Sequence, residues 1–190
     1  MLVLGMWIAQ DVPLSSVGFT LPIGWRLWVP VILIAAVVSL QASAVLKISK
    51  HSGPKSKLRD QLGSTGLVTP HEAAELPAWL GVSLTAGFCE ELLFRGFLVW
   101  ILQPYIGWLG AAAVSLAVFT AAHAYQGASG LVRCAMLGAI MTAIVFLTQS
   151  LWPAIVLHAA LDWMGGLVGW QIMRDPVARS PNAEAVICDS

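Results

Sequence analysis

Apolar positions in this chain run on for lengths that cross a bilayer, and polar residues are confined to the gaps between them. About 20 predominantly apolar residues make one spanning helix, and breakers divide the sequence into five such runs. The first is Trp28–Ile48, with Pro30 in its first turn, where a missing N–H does little harm. A polar, basic linker follows from His51 to about Glu75. The second run is Ala78–Leu102, which ends before Pro104. The third is Trp108–Ala124, closed by Tyr125-Gln-Gly-Ala-Ser-Gly130, and the fourth is Leu131–Thr148. The fifth is Trp152–Trp170, with Pro153 in its first turn. This pattern predicts an all-α, polytopic transmembrane helical bundle of about five spanning helices. Residues 1–27 read as an N-terminal interfacial or irregular segment, 28–170 as the bundle with its chemistry in 78–170, and 171–190 as a polar C-terminal tail.

Composition and charge narrow the class. Charged residues make up 11% of the chain, against about 25% in soluble domains. A net charge of zero supplies no electrostatic footprint for nucleic acid, so none is expected as a partner. Lys47, Lys50, Lys55, Lys57 and Arg59 crowd the linker, and the excess of positive charge in cytoplasmic loops puts 47–59 inside, with the N-terminus outside. Membrane lipid is then an expected partner and the bacterial inner membrane the expected location. Trp28, Trp79, Trp100, Trp108, Trp152 and Trp170 fall at span ends, where aromatic belts form. Cys89, Cys134 and Cys188 lack metal-type spacing and are odd in number, so Cys89 and Cys134 read as small apolar helix residues.

Candidate chemistry sits in what the spans should not contain. Glu90, Glu91 and Arg95 lie on the second run, His123 at the end of the third, and His158 and Asp162 on the fifth. An ionisable side chain at mid-bilayer costs about 2.5–3.5 kcal/mol on insertion scales, so such groups face protein or trapped water. Glu91/Arg95, Phe119/His123 and His158/Asp162 are each four apart, which puts each pair on one helix face. A guanidinium beside a carboxylate removes its basicity, so Arg95 reads as the structural partner of Glu91 and leaves Glu90 as the freer base. Phe119 reads as a packing wall, and His51 and His71, in the polar linker, as solvated. Alternation of the spans puts His123 toward the cytoplasm, Glu90 near mid-depth and His158 slightly outward. One common site therefore requires tilt, or a third helix that reaches less far inward.

The three clusters, in this order, resemble the CAAX prenyl protease and bacteriocin-processing family of intramembrane proteases, which includes abortive-infection-like proteins. Glu90-Glu-Leu-Leu-Phe-Arg95 is similar to its EExxxR motif, with Gly96 following. Phe119-Thr-Ala-Ala-His123 is similar to FxxxH, and His158 with Asp162 to HxxxN or HxxxD. The resemblance implies an endopeptidase that cleaves a membrane-associated protein or peptide, of CAAX type or a peptide leader. It implies that Glu90 and His123 activate water, that His158 and Asp162 stabilise the oxyanion, and that Glu91 and Arg95 order the first motif. Both metallo- and glutamate-dependent mechanisms are ascribed to the family, so zinc held by Glu90, His123 and His158 is an open expectation. Asp162 departs from Asn, since an ionised carboxylate cannot donate to an oxyanion. It must be protonated, orient His158, or bind a metal. Two other classes fit the same polar core: a non-catalytic membrane immunity or scaffold protein, and a proton-coupled carrier, the latter disfavoured by the lack of inverted repeats.

Overall fold

The computed structural model describes residues 13–50, 62, 66 and 68–174. His51, most of the basic linker, the tail beyond Arg174, Cys188 and residues 1–12 lie outside the described residues. Every regular element among those described is helical.

Helix α1 spans Trp25–Lys50 and starts three residues earlier than the apolar run. Gly24, at φ 60°, turns the chain into it and accepts from the N–H groups of Leu27 and Trp28 at 3.1 and 3.2 Å. Pro30 consequently lies inside the helix rather than in its first turn.

Helix α2 begins with a capping arrangement. Glu72 and Glu75 bond each other's turn reciprocally across a 3-10 turn, Ala73–Glu75, which satisfies donors that a helix start leaves open. His71, expected to be solvated, belongs to this start: its N–H donates to Glu75 Oε2 at 2.7 Å and its Nε2 meets the Gly66 carbonyl at 2.9 Å. The helix runs as Leu76–Glu91, widens into a π-helical segment, Leu92–Leu98, and continues to residue 106. It thus passes through Pro104 instead of stopping before it. In the last turn a proline forfeits only one backbone bond, and the break falls at Gly107 (φ 70°, ψ 168°). There the chain reverses, because Ser115 Oγ donates to the Phe94 carbonyl at 2.6 Å and the Phe94 and Phe119 rings lie 5.3 Å apart. Residues 108–122 form α3, which runs back along α2. A Cβ on Gly107 would meet nothing within 4 Å, so the left-handed backbone is the whole reason for glycine. Gly107→Ala should cost about 1–2 kcal/mol, read as a lower unfolding midpoint in detergent with the helical content kept.

Helix α4 spans Gly127–Thr148 and α5 spans Trp152–Met173. Among the described residues, three helical stretches are long and apolar enough to cross a membrane: Trp25–Ser49, Ala73–Ala122 and Ala124–Thr148. The 50-residue stretch is folded in two at Gly107, which makes four. Helix α5 is long enough but less apolar, since it carries His158 and Asp162. The expected five spans are therefore four by length and apolarity, with α5 packed among them. Buried Met141, Ala154 and Leu157 join α4 to α5, and Ile34 and Val37 of α1 close over them.

Two features bring α2 and α5 together. Glycines line their seam: a Cβ on Gly87 would stand 2.9 Å from the Ala159 nitrogen, and one on Gly166 would fall within the Trp79 indole. The segment before α1 seals one end of it. After a 3-10 turn, Leu14–Val17, the Gly18 carbonyl accepts from Leu151 N at 2.8 Å and the Thr20 carbonyl from Ser150 Oγ at 2.6 Å. Leu151 and Ser150 are fully buried beneath it. Gly96 admits this strap, since a Cβ there would lie 3.0 Å from the Val17 carbonyl.

Candidate active site

The site is a layered cluster on α2, α3, α4 and α5. Its inner layer is Glu91, whose side chain is 0% exposed. Arg95 Nη1 donates to Glu91 Oε1 at 2.9 Å, and His158 Nδ1 meets the same oxygen at 2.7 Å. Arg95 also donates from Nη2 to the Gly138 carbonyl at 3.2 Å, and its guanidinium lies 4.2 Å from the centre of the Phe119 ring. Gly138 permits this approach, because a Cβ there would crowd Arg95 Nη2 at 3.0 Å and Leu116 at 2.8 Å. Phe119 is buried and stacks on His123 with ring centres 4.6 Å apart. The π-helical segment that starts just after Glu91 carries Arg95 and buries it. Such wide turns recur at functional sites.

The outer layer is formed by Glu90, His123 and Asp162, whose side chains are partly exposed. His123 Nδ1 lies 2.8 Å from the Phe119 carbonyl. A carbonyl only accepts, so Nδ1 carries the hydrogen and Nε2 is left bare. His158 likewise turns an Nδ1–H to an acceptor, the carboxylate of Glu91. Both imidazoles therefore turn Nε2 toward Glu90, with Glu90 Oε2 3.8 Å from His123 Nε2 and 3.9 Å from His158 Nε2. Glu90 Oε2 is buried and has no hydrogen-bond partner among the described residues, although its side chain as a whole is 31% exposed. Asp162 Oδ2 stands 3.6 Å from His158 Nε2, beyond hydrogen-bond range, and its side chain is 39% exposed.

The depth mismatch expected between His123 and Glu90 disappears with the position of the hairpin turn. Glu90 lies 17 residues before Gly107 and His123 lies 16 after it, so an antiparallel pair brings them level. A second helix ending at Leu102 would have misplaced them.

Nothing in the residue spacing marks the bond from Glu91 to His158, and Trp79 fits a membrane interface by sequence alone. Trp79 instead donates from Nε1 to the Asp162 carbonyl at 3.0 Å. The available signal was its spacing: eleven residues before Glu90 is three helical turns, the same face. Cys89 and Cys134 are free thiols.

Zinc accepts the donor types of Glu90, His123 and His158, but ligands around one zinc at about 2.0–2.1 Å stand about 3.3–3.4 Å apart. The separations of 3.8 and 3.9 Å from Glu90 are wider. Among the described residues no group of three or more His, Cys, Asp or Glu is arranged to hold a metal ion. Polar atoms this far apart are commonly bridged by a water.

Residues 72–164 match the family described as type II CAAX prenyl endopeptidase Rce1-like. No curated protein and no solved structure matches the chain. The long apolar helices together with this match make the chain an integral membrane protein. Both glutamates, Arg95, the two histidines and Asp162 all fall within the matched stretch, so the part of the chain that carries the site is similar to the Rce1-like family of type II CAAX prenyl endopeptidases.

Proposed function

We propose that this protein is an intramembrane endopeptidase that hydrolyses a peptide bond of a membrane-associated substrate, a prenylated C-terminus being the class the matched family implies. The observation that carries the reading is the meeting of Glu90 Oε2, unpartnered and buried, with two imidazole Nε2 atoms at 3.8 and 3.9 Å. One water fits between such groups and would be activated there.

In this mechanism Glu90 removes a proton from the water while His123 Nε2 accepts its second hydrogen bond. The water oxygen attacks the scissile carbonyl carbon, and the carbonyl π electrons move to oxygen. His158, as an imidazolium balanced by Glu91, donates from Nε2 to that oxyanion. The carbon–nitrogen bond then breaks, and the proton held by Glu90 goes to the leaving nitrogen. Asp162, too far from His158 Nε2 for a hydrogen bond, contributes charge and orientation rather than a donor. Glu91, itself held by Arg95, fixes the orientation of the His158 ring. General acid–base catalysis of this kind contributes about 10²–10⁴-fold.

His123→Ala should therefore lower kcat by about 10²-fold or more with the unfolding midpoint within a degree or two of the parent, measured on purified protein with a prenylated peptide. A non-catalytic scaffold would instead keep its cellular function when His123, Glu90 and His158 are all neutralised. Cleavage that survives a chelator supports the metal-free form written above. Cleavage lost to the chelator and restored by zinc assigns Glu90, His123 and His158 as ligands. Under this reading the linker 47–59 faces the cytoplasm of a bacterial inner membrane. A cysteine introduced at Ser56 should react with an impermeant reagent only once the inner face is opened; labelling of intact cells would reverse the orientation.

A further inference from the structure

Between Trp79 and Glu91 three contacts tie helix α2 to α5, and the one at Glu91 lies within the proposed site. Glu91 binds His158, Gly87 lies against the backbone at Ala159, and Trp79 lies against Gly166. The first two contacts leave the register loose along the axis: Gly87 offers only a smooth approach, and a long carboxylate can follow a shifted imidazole. Trp79 differs. Its indole occupies the space that a side chain at Gly166 would need, and its N–H donates to one particular backbone rung, the Asp162 carbonyl, at 3.0 Å. That carbonyl already serves the helix through one lone pair, and its second lone pair takes the indole. A shift of α5 by one residue would break this bond and drive a side chain into the ring. The rung so fixed carries Asp162, one turn from His158.

We infer that Trp79 is a positioning residue of the proposed hydrolytic site: seated over Gly166 and bonded to the Asp162 backbone, it fixes the α2–α5 register that brings His158 and Asp162 to the paired glutamates. The inference rests on the hydrolytic reading for its effect on rate, while its effect on geometry is independent of any turnover.

Trp79→Phe keeps the aromatic volume and removes the N–H. Its kcat on a prenylated peptide should fall by up to about tenfold, the worth of one such hydrogen bond, with KM unchanged. Gly166→Ala should lose about 100-fold, as misplacement by about 1 Å does, and adding Trp79→Ala should recover part of it by removing the obstruction. A second readout is the low-field proton NMR signal of His158 Nδ1–H against Glu91 in detergent, assigned by its absence in His158→Gln. That signal should shift or broaden in Trp79→Phe. Parental kcat together with an unmoved signal in Trp79→Phe overturns the inference, even where Gly166→Ala fails to fold. If no form of the protein cleaves peptide and the signal still moves, the register role stands and the hydrolytic reading falls.

Discussion

Glu90→Gln is expected to abolish peptide cleavage, by about 10²–10⁴-fold or more, and to leave the unfolding midpoint unchanged. The substitution keeps the shape of the side chain and removes only its capacity to take a proton. Stability should survive because Glu90 holds no short ion pair: the imidazole nitrogens that face it stand at 3.8 and 3.9 Å, and its side chain is 31% exposed. Its amide can still accept a hydrogen bond from water, so the water is retained without being activated. The paired measurement is turnover of a prenylated peptide beside thermal unfolding in detergent. Full activity in the folded variant would remove Glu90 from the role of base.

The neighbouring glutamate should behave in the opposite way. Glu91→Ala is expected to destabilise the bundle by about 3–5 kcal/mol, the cost of leaving one partner of a buried ion pair uncompensated. Glu91 is fully buried, and one of its oxygens receives both Arg95 Nη1 and His158 Nδ1. Arg95, itself buried, would keep only the Gly138 carbonyl and the face of Phe119. Arg95→Met should cost a similar amount for the mirror-image reason. The double variant Glu91→Met/Arg95→Met should be less destabilised than the sum of the two singles, because no charge is then stranded. Unfolding midpoints for the four proteins form the cycle. Additive losses would mean that the two side chains act independently, which their 2.9 Å contact contradicts.

The helical class was readable because long apolar runs have few alternatives in a membrane, and the polar cluster was readable because charges inside such runs stand out. Spacing by four put Glu91 with Arg95 on one face, and the structure gives them a direct bond. Helix ends were harder to place. Pro104 looked like a terminus, but a proline near the end of a helix is tolerated at the loss of one bond, and the actual turn is a glycine whose only mark is its conformation. The error of a few residues moved Glu90 along the axis enough to separate it from His123. The π-helical segment at Leu92–Leu98 has no sequence signature. The bond from Glu91 to His158 crosses 67 positions and depends on how two helices pack, which periodicity does not encode. Trp79 illustrates the same limit, since a tryptophan near a span end fits a lipid interface as well as it fits a seam between helices.

The central claim is that water, activated by Glu90, cleaves the peptide directly. Its most direct test is cleavage of a prenylated peptide by purified protein in ¹⁸O-enriched water, followed by mass spectrometry of both fragments, with Glu90→Gln run in parallel. Expected are one heavy oxygen in the new carboxylate within a single turnover, no covalent peptide adduct on the protein, and no product from Glu90→Gln. An acylated protein trapped during turnover, or heavy-oxygen product formed at the parental rate by Glu90→Gln, would contradict it.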